Sequence, residues 1–226
     1  MSKHHRNRNW APAPQPLPED AHVIDNHTHV ASVVPFSQAM SHEAMAEVHR
    51  LATTYPNQVV AIGETGMDLF RTGESAKELQ REAFRAHVAL AKELNLPMQI
   101  HDRDSHKEVI ETLLADGAPE RTVFHSYSGD AEMGEIAREN GWYLSLSGTS
   151  SYKGNDGIRE SAKLVGMSHV MVETDAPYLS PMPYRGRTNA PYMIPYTLQA
   201  LADYLDRPLA EIAKATRETT REVYGI

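Results

Sequence analysis

The feature of the sequence that most constrains the fold is a series of short apolar runs that each end in residues able to bind a metal ion. These residues are His27, His29, Glu64, His101, His125 and Asp175. In a barrel of parallel strands, the carboxyl ends of the strands all meet at one face, where active sites lie. Ligand-type residues that are far apart in the sequence are therefore expected to converge at that face.

Amphipathic stretches separate the apolar runs. The sequence predicts strands at 22–26, 59–63, 98–101, 122–125, 143–146 and 170–173. It predicts helices near 41–54, 76–94, 105–115, 130–139, 157–165, 191–205 and 208–223, where apolar residues recur at helical spacing. Strands that alternate with helices favour parallel pairing, so we expect an α/β fold built as a sheet or a barrel.

The composition is that of an ordinary globular protein, with 41% hydrophobic and 23% charged residues among 226. Residues 1–20 contain an alternating proline run and predict a disordered tail, and residues 21–226 predict a single domain. The sequence shows neither a secretory signal nor an apolar run of bilayer length, so we expect a cytoplasmic protein without a membrane partner. The net charge of −8 disfavours a protein that binds long duplexes by charge alone.

Cysteine is absent, so a metal site in this chain must use histidine, aspartate and glutamate. His27 and His29 are two residues apart, and side chains at this spacing on a strand point to the same side. Nitrogen and oxygen ligands suit Zn²⁺, Mn²⁺ or similar ions. Six ligands are many for one ion, and a Glu64 carboxylate shared by two ions about 3.5–4 Å apart would explain the number.

Five segments together resemble the TatD family of metal-dependent hydrolases, within the amidohydrolase-like barrels. They read IDNHTH at 24–29, AIGETGMD at 61–68, QIHDRD at 99–104, FHSYSG at 124–129 and ETDAPYL at 173–179. The segment PYRGRTN at 183–189 is similar to the family's stretch after its last strand. The resemblance covers nearly everything from residue 22 onward and implies a TIM-type (β/α) barrel.

The resemblance also implies the division of the ligands between two divalent cations, which would be Mg²⁺, Mn²⁺ or Zn²⁺. One cation is expected on His27, His29, Glu64 and Asp175, and the other on Glu64, His101 and His125. The family's characteristic activity is DNA hydrolysis, so the expected substrate is DNA or a short oligonucleotide. In this interpretation Asp175 takes a proton from the attacking water, and Glu64 fixes the spacing of the metals.

Three arginines are candidates for binding the phosphates that flank the scissile bond, namely Arg71, Arg185 and Arg187. A solvated surface position is the competing interpretation for each of them. Two other functions stay open: hydrolysis of a small amide, lactone or phosphoester on the same metals, or a catalytically silent protein that keeps the metals.

The region between the His-x-His strand and the Gly-Glu-x-Gly strand is much shorter than is usual in the family. Val33-Val34-Pro35-Phe36 follows His29 after only three residues, too few for the crossover that a parallel neighbour requires. We therefore expect an incomplete barrel with about six of the eight strands of a closed one. Exposed strand edges invite pairing with other chains, so self-association through the incomplete side is expected.

Overall fold

The computed structural model describes residues 10–19, 21–28 and 42–226. In this part of the chain, five strands form one sheet in which all neighbours are parallel and the order follows the sequence. They are β1 (Ile62–Asp68), β2 (Met98–Arg103), β3 (Thr122–Phe124), β4 (Tyr143–Leu146) and β5 (Val170–Val172). The α/β class with a parallel sheet is confirmed.

Helices alternate with the strands as the sequence predicted. They are α1 (His42–Thr54), α2 (Leu69–Thr72), α3 (Lys77–Leu94), α4 (His106–Asp116), α5 (Ala131–Asn140), α6 (Asp156–Val165), α7 (Ile194–Leu205) and α8 (Leu209–Tyr224). Among the helices of the described residues, only the four-residue α2 has no counterpart among the predicted helices. No helix within 10–19, 21–28 and 42–226 combines the length and the apolar character needed to cross a membrane.

The core lies between the sheet and the helices that pack on it. Helix α3 illustrates why the sequence folds in this way. Its residues Phe84, Val88 and Ala91 recur at helical spacing, and each is at most 1% exposed. The helix ends at Asn95, which adopts the left-handed conformation that terminates helices. Helix α3 packs against β1, the strand that carries Glu64.

The predicted strand at 22–26 is wrong, because no strand forms within 21–28. Side chains there make hydrogen bonds to β5 and the residues after it. The Nδ2 of Asn26 donates to the Val172 carbonyl at 2.7 Å, and the backbone N–H of Thr174 donates to Oδ1 of Asp25 at 2.8 Å. The backbone hydrogen bond from Asn26 to Val172 is long, at 3.4 Å. The segment thus lies against β5 without joining the sheet, which has five strands in the described residues rather than about six.

The predicted strand at 59–63 is also displaced, since β1 begins at Ile62 and continues to Asp68. The register between β1 and β2 shifts between Ile62 and Thr65. Gly63 lies within this irregularity with φ +154°, a value that other residues rarely adopt. Glu64 is therefore part of the strand and not a residue that follows it.

The barrel is incomplete in the part of the chain that the structure describes. A closed barrel of this type has eight strands, whereas five are present here and β1 and β5 are not paired with each other. Val33-Val34-Pro35-Phe36 lies outside the described residues. The self-association expected from unpaired edges stays a prediction.

Residues 10–19 belong to the stretch that the sequence predicted as a tail. In the structure Trp10 forms a β-bridge with Thr188, and the hydroxyl of Tyr192 donates to the Ala11 carbonyl at 2.7 Å. Ala11 is 6% exposed. This part of the stretch contacts the loop after β5 and the residues before α7. The division of the chain at residue 20 stays a prediction.

Candidate metal centre

Five of the six predicted ligand residues lie at the carboxyl end of the sheet. Glu64 and His101 belong to β1 and β2, and His125 directly follows β3. Asp175 lies three residues after β5, where its backbone N–H donates to the His27 carbonyl at 3.0 Å. This hydrogen bond brings the segment before α1 to the same edge. The sixth predicted ligand, His29, lies outside the described residues.

One oxygen atom of Glu64 lies at the centre of the cluster. Its Oε2 is 2.9 Å from Nε2 of His125, 3.5 Å from Nε2 of His27 and 3.9 Å from Nδ1 of His101. The ligand atoms of His27, Glu64 and His125 all lie within 4.8 Å of one another, which suits a metal ion. The convergence expected from the strand ends is therefore found for the described residues.

The remaining distances divide the cluster into two sides. On one side, Nε2 of His27 is 3.8 Å from Oδ1 of Asp175. On the other side, Nε2 of His125 is 3.4 Å from Nδ1 of His101. Glu64 contacts both sides. The division of these residues between two cations, which the sequence resemblance implies, stays a prediction.

Each imidazole is oriented through its second ring nitrogen. The Nδ1 of His27 is 2.7 Å from Oε1 of Gln99, and the Nδ1 of His125 is 3.1 Å from Oε1 of Glu173. The Nε2 of His101 is 3.2 Å from Oδ2 of Asp68. An imidazole that donates one N–H to an oxygen atom presents a lone pair on the other nitrogen, which is how metal-binding histidines are commonly oriented. In all three rings, the nitrogen that faces Glu64 is the one left for a cation.

Glu173 belongs to the candidate site, and the sequence analysis did not predict a role for it. Its side chain is fully buried, and its Oε1 accepts from Nδ1 of His125 and from the backbone N–H of Ser126. Its Oε2 accepts from the hydroxyl of Ser145. A signal was available, because Glu173 follows the apolar β5 and precedes Asp175 by two residues. The same two-residue spacing had been used to pair His27 with His29.

Asp68 and Gln99 were missed as well. Asp68 is 5% exposed at the end of β1, and its Oδ1 also accepts from the backbone N–H of Arg71. Gln99 lies on β2, where its Nε2 donates to the Asn26 carbonyl at 3.1 Å. Gln99 thus fixes both the ring and the backbone of the segment that carries His27. No spacing rule links two segments that are 72 residues apart, so this contact had no signal in the sequence.

Two glycines let β1 approach β2 closely at the site. A Cβ added to Gly66, whose φ is +144°, would lie 1.9 Å from the carbonyl oxygen of His101. A Cβ added to Gly63 would lie 2.8 Å from the Cβ and the carbonyl oxygen of Gln99. Both contacts are far inside normal separations. The Gly-Glu-x-Gly pattern therefore reflects the close approach of the strand that carries Glu64 to the strand that carries His101.

Burial and neighbouring charges shift the pKa values of several residues in the cluster. Burial opposes a charge on Glu64, but the hydrogen bond from His125 and the nearby imidazoles lower the pKa of Glu64 from 4.5 to about 2. Burial also opposes a charge on His125, yet the Glu173 and Glu64 carboxylates raise the pKa of His125 to about 10. A proton on Nε2 of His125 therefore competes with a cation for the same lone pair.

The pKa values of Asp175 and His101 shift in the direction that favours the neutral form of each side chain. Burial outweighs the nearby imidazole of His125 and raises the pKa of Asp175 to about 6. Burial lowers the pKa of His101, and the neutral imidazole is the form that binds metals. Asp175 also has a φ of +52°, an uncommon conformation that aspartate tolerates better than most residues.

Arg71, one of the predicted phosphate-binding arginines, is linked to the cluster through Asp68. Its Nε is 3.5 Å from Oδ2 of Asp68, the same oxygen that contacts His101. Its side chain is 72% exposed. One carboxylate therefore separates this guanidinium from a predicted ligand.

Arg185 and Arg187 lie in the loop that follows β5. The guanidinium carbon of Arg185 is 4.5 Å from the centre of the Tyr152 ring, and that of Arg187 is 5.3 Å from the centre of the Tyr184 ring. An Nη1 of Arg187 also donates to the Trp10 carbonyl at 3.5 Å. The structure therefore places both arginines against aromatic rings.

The donor set fits a divalent cation. It consists of imidazole nitrogens and carboxylate oxygens without sulfur, a combination that suits zinc, manganese and similar ions. The orienting contacts from Gln99, Asp68 and Glu173 match what metal-binding histidines require. The cluster is therefore a candidate site for divalent metal ions.

Comparison with known proteins agrees with this geometry. The family described as TatD related DNase matches residues 20–225. A metal-dependent hydrolase of Mycobacterium tuberculosis, named TatD, is 41% identical over 194 residues, which cover 84% of this chain and 73% of the relative. A metal-dependent hydrolase of Bacillus subtilis, named YabD, is 34% identical over 188 residues, which cover 83% and 72%.

Solved structures share the fold. YjjV, a TatD homolog from Escherichia coli K12, superposes with a TM-score of 0.77 at 26% identity, covering 84% of this chain and 73% of that protein. A TatD family hydrolase from Entamoeba histolytica superposes with a TM-score of 0.72 at 21% identity, covering 83% and 70%. The TIM-type barrel class expected from the sequence is confirmed by these similarities.

Proposed function

Because this chain belongs to the TatD family of metal-dependent hydrolases, we propose that it cleaves phosphodiester bonds in DNA or short oligonucleotides with two divalent cations. The cations are Mg²⁺, Mn²⁺ or Zn²⁺, and the ligands are those implied by the sequence resemblance. The family's description as a DNase supports the choice of substrate.

One observation carries the proposal: three imidazoles each turn one nitrogen toward Glu64 while an oxygen acceptor binds the other nitrogen. A structural histidine needs no such orientation toward a common carboxylate. Glu64 contacts His27 on one side and His125 on the other. A carboxylate in this position can bridge two cations, so it is the residue that would set their spacing.

Two bound cations would supply electrostatic stabilisation of the phosphate and would lower the pKa of water. The side chains of the protein accept the proton of the water and orient the histidines. Asp175 accepts the proton of the attacking water, since burial raises the pKa of its carboxyl to about 6 and brings it nearer to neutral pH. Glu173 keeps His125 in one orientation through the contact with Nδ1. Asp68 does the same for His101.

The arginines would bind the phosphates on either side of the scissile bond. Arg71 is anchored to Asp68 and is exposed, so its guanidinium can reach a phosphate next to the His101 side of the cluster. Arg185 and Arg187 approach from the loop after β5, which leads from the Asp175 side. Positive charge on both sides favours a substrate with more than one phosphate.

The decisive experiment measures hydrolysis by the chelated protein before and after addition of Mg²⁺, Mn²⁺ or Zn²⁺. The substrates are an end-labelled oligonucleotide, a small chromogenic phosphodiester, an amide and a lactone. We expect no activity after chelation and restored cleavage of the oligonucleotide after addition of a cation. Cleavage of the amide or the lactone alone would show a different hydrolase, and metal binding without any cleavage would show a silent protein.

A pair of matched variants tests whether this cluster is responsible. His101→Ala removes a predicted ligand at the carboxyl end of the sheet. His169→Ala removes a histidine that precedes β5 at the opposite end, where its ring stacks on Tyr143 at 4.9 Å. We expect His101→Ala to lose metal and activity, and His169→Ala to retain both. Equal activity of the two variants would place the chemistry elsewhere.

A further inference from the structure

Phe70 is a large apolar side chain that is exposed beside the metal cluster. Its ring is 62% exposed, and the guanidinium carbon of Arg103 lies 4.0 Å from the ring centre. We propose that Phe70 and Arg103 form a stacking subsite for a nucleobase of the substrate. The inference rests on the proposed function and specifies which part of the substrate binds next to the metal ligands.

The strands place this pair at the metal cluster. Asp68 and Arg103 are partners in the register of β1 and β2, and Arg103 follows the ligand His101 by two residues. Residues at that spacing on a strand point to the same side. Phe70 follows Asp68 by two residues, and Asp68 itself contacts His101. Both members of the pair are thus joined to the site by short stretches of backbone.

In the described part of the chain, Arg103 lacks the carboxylate contacts that hold several other arginines of this acidic protein. The chain has 30 acidic and 22 basic side chains, and arginines such as Arg85 pair with a carboxylate, here Asp116 at 2.8 Å. Within the residues that the structure describes, Arg103 makes no ion pair and lies on the Phe70 ring. Its charge is therefore available to an anionic or aromatic ligand.

The chemistry of the pair suits a nucleobase. Nucleobases stack on aromatic rings and on guanidinium planes, and this mode tolerates any base because every base has a flat face. Arg71 is adjacent to Phe70 in the sequence and is one of the three arginines proposed to bind flanking phosphates. A sugar phosphate without a base would lose the stacking and keep the phosphate contact.

The test compares two small probes that differ only in the base, 2′-deoxyadenosine 5′-monophosphate and 2-deoxyribose 5-phosphate. Their dissociation constants are measured by calorimetry with the full chain loaded with Mn²⁺. We expect the nucleotide to bind about tenfold more tightly than the sugar phosphate, since stacking on a protein aromatic ring contributes on this scale. Phe70→Ala should abolish the preference, and Phe70→Trp should keep it.

The control is Leu79→Ala, which removes another apolar side chain of similar exposure, at 60%, from α3. It should leave the preference unchanged. Because Phe70 is largely exposed, its truncation creates no cavity, and circular dichroism should show intact folding. A wild-type protein without a preference for the nucleotide, or a Phe70→Ala protein that keeps it, would overturn the subsite.

A separate cleavage assay distinguishes this inference from the proposed function. If the wild type prefers the nucleotide through Phe70 but cleaves no DNA, the subsite stands and the DNase proposal fails. If the wild type cleaves DNA but binds both probes equally, the DNase proposal stands and the subsite fails. For a working nuclease, an abasic residue at the subsite should raise KM in the wild type and leave KM unchanged in Phe70→Ala.

Discussion

Replacing Gly66 by alanine should damage the metal site through the backbone and not through a ligand. The new Cβ would lie 1.9 Å from the carbonyl oxygen of His101, where real Cβ atoms keep at least 3.0 Å. The atom it meets is backbone, so no side chain can rotate away. Strands β1 and β2 must therefore separate by about 1 Å at His101, in an interior that is packed too tightly to absorb such a shift freely.

The expected loss of folding stability in Gly66→Ala has two parts. Alanine at φ +144° carries a backbone penalty of about 1–3 kcal/mol. The clash adds an overpacking penalty of about 1–3 kcal/mol. The matched control is Gly73→Ala, because Gly73 also has a positive φ of +66° but has no neighbour within 4 Å of an added Cβ. It should show only the backbone penalty.

The assay is a thermal melt of both chelated variants, followed by titration with Mn²⁺. Gly66→Ala should be about 2 kcal/mol less stable than Gly73→Ala, which corresponds to a Tm lower by about 4–8 °C for a domain of this size. Gly66→Ala should also bind the cation more weakly, because His101 moves away from Glu64. Equal melts with equal metal affinity would refute the close-approach argument.

Four further outcomes test the site. Glu64→Ala should lower both metal stoichiometry and turnover, whereas Glu74→Ala, which changes an exposed glutamate, should lower neither. Normal metal content in Glu64→Ala would contradict a shared carboxylate. Asp175→Asn should keep part of the metal but lose most of the rate, and cleavage at the wild-type rate would exclude Asp175 as the base. Arg187→Ala should weaken binding of oligonucleotides more than of a small phosphodiester; equal effects would argue against a phosphate contact. Metal affinity should rise up to tenfold per pH unit from pH 7 to 10. Burial opposes a charge on His125, but neighbouring carboxylates raise its pKa to about 10, so a proton must leave the ring before a cation can bind. A flat pH profile by calorimetry would contradict this coupling.

The sequence predicted the parts of this structure that depend on local periodicity. The helices other than the four-residue α2, and four of the five strands, lie where the apolar spacing placed them, whereas β1 is displaced by a few residues. The strand predicted just before His27 is wrong, although the apolar residues of that segment are typical of a strand. There the side chains of Asp25 and Asn26 bind Thr174 and Val172, and these contacts replace a backbone ladder. A pattern of apolar residues carries no information about such a replacement.

The convergence of the candidate ligands was predictable because strand ends meet at one face in a parallel fold, whatever the loops between them do. The residues that orient the ligands were harder to predict. Gln99 binds the ring of His27 across 72 positions of sequence. Only the folded chain brings these two residues together. Glu173 is different, because it stands two residues before Asp175 at the end of β5, where a spacing argument applies.

Strand β1 shows how one short sequence can contain both a candidate ligand and a residue that orients another candidate ligand. Glu64 and Asp68 approach the two ring nitrogens of His101 from opposite sides, at 3.9 Å from Nδ1 and 3.2 Å from Nε2. Between them, Gly66 lets the backbone of His101 come close enough for both contacts. Asp68 lies in the segment that resembles the family, but only Glu64 of that segment was predicted to have a role in the site. The carboxylate of Asp68 has a clear physical role, since a histidine that binds a cation through one nitrogen requires an acceptor for the other.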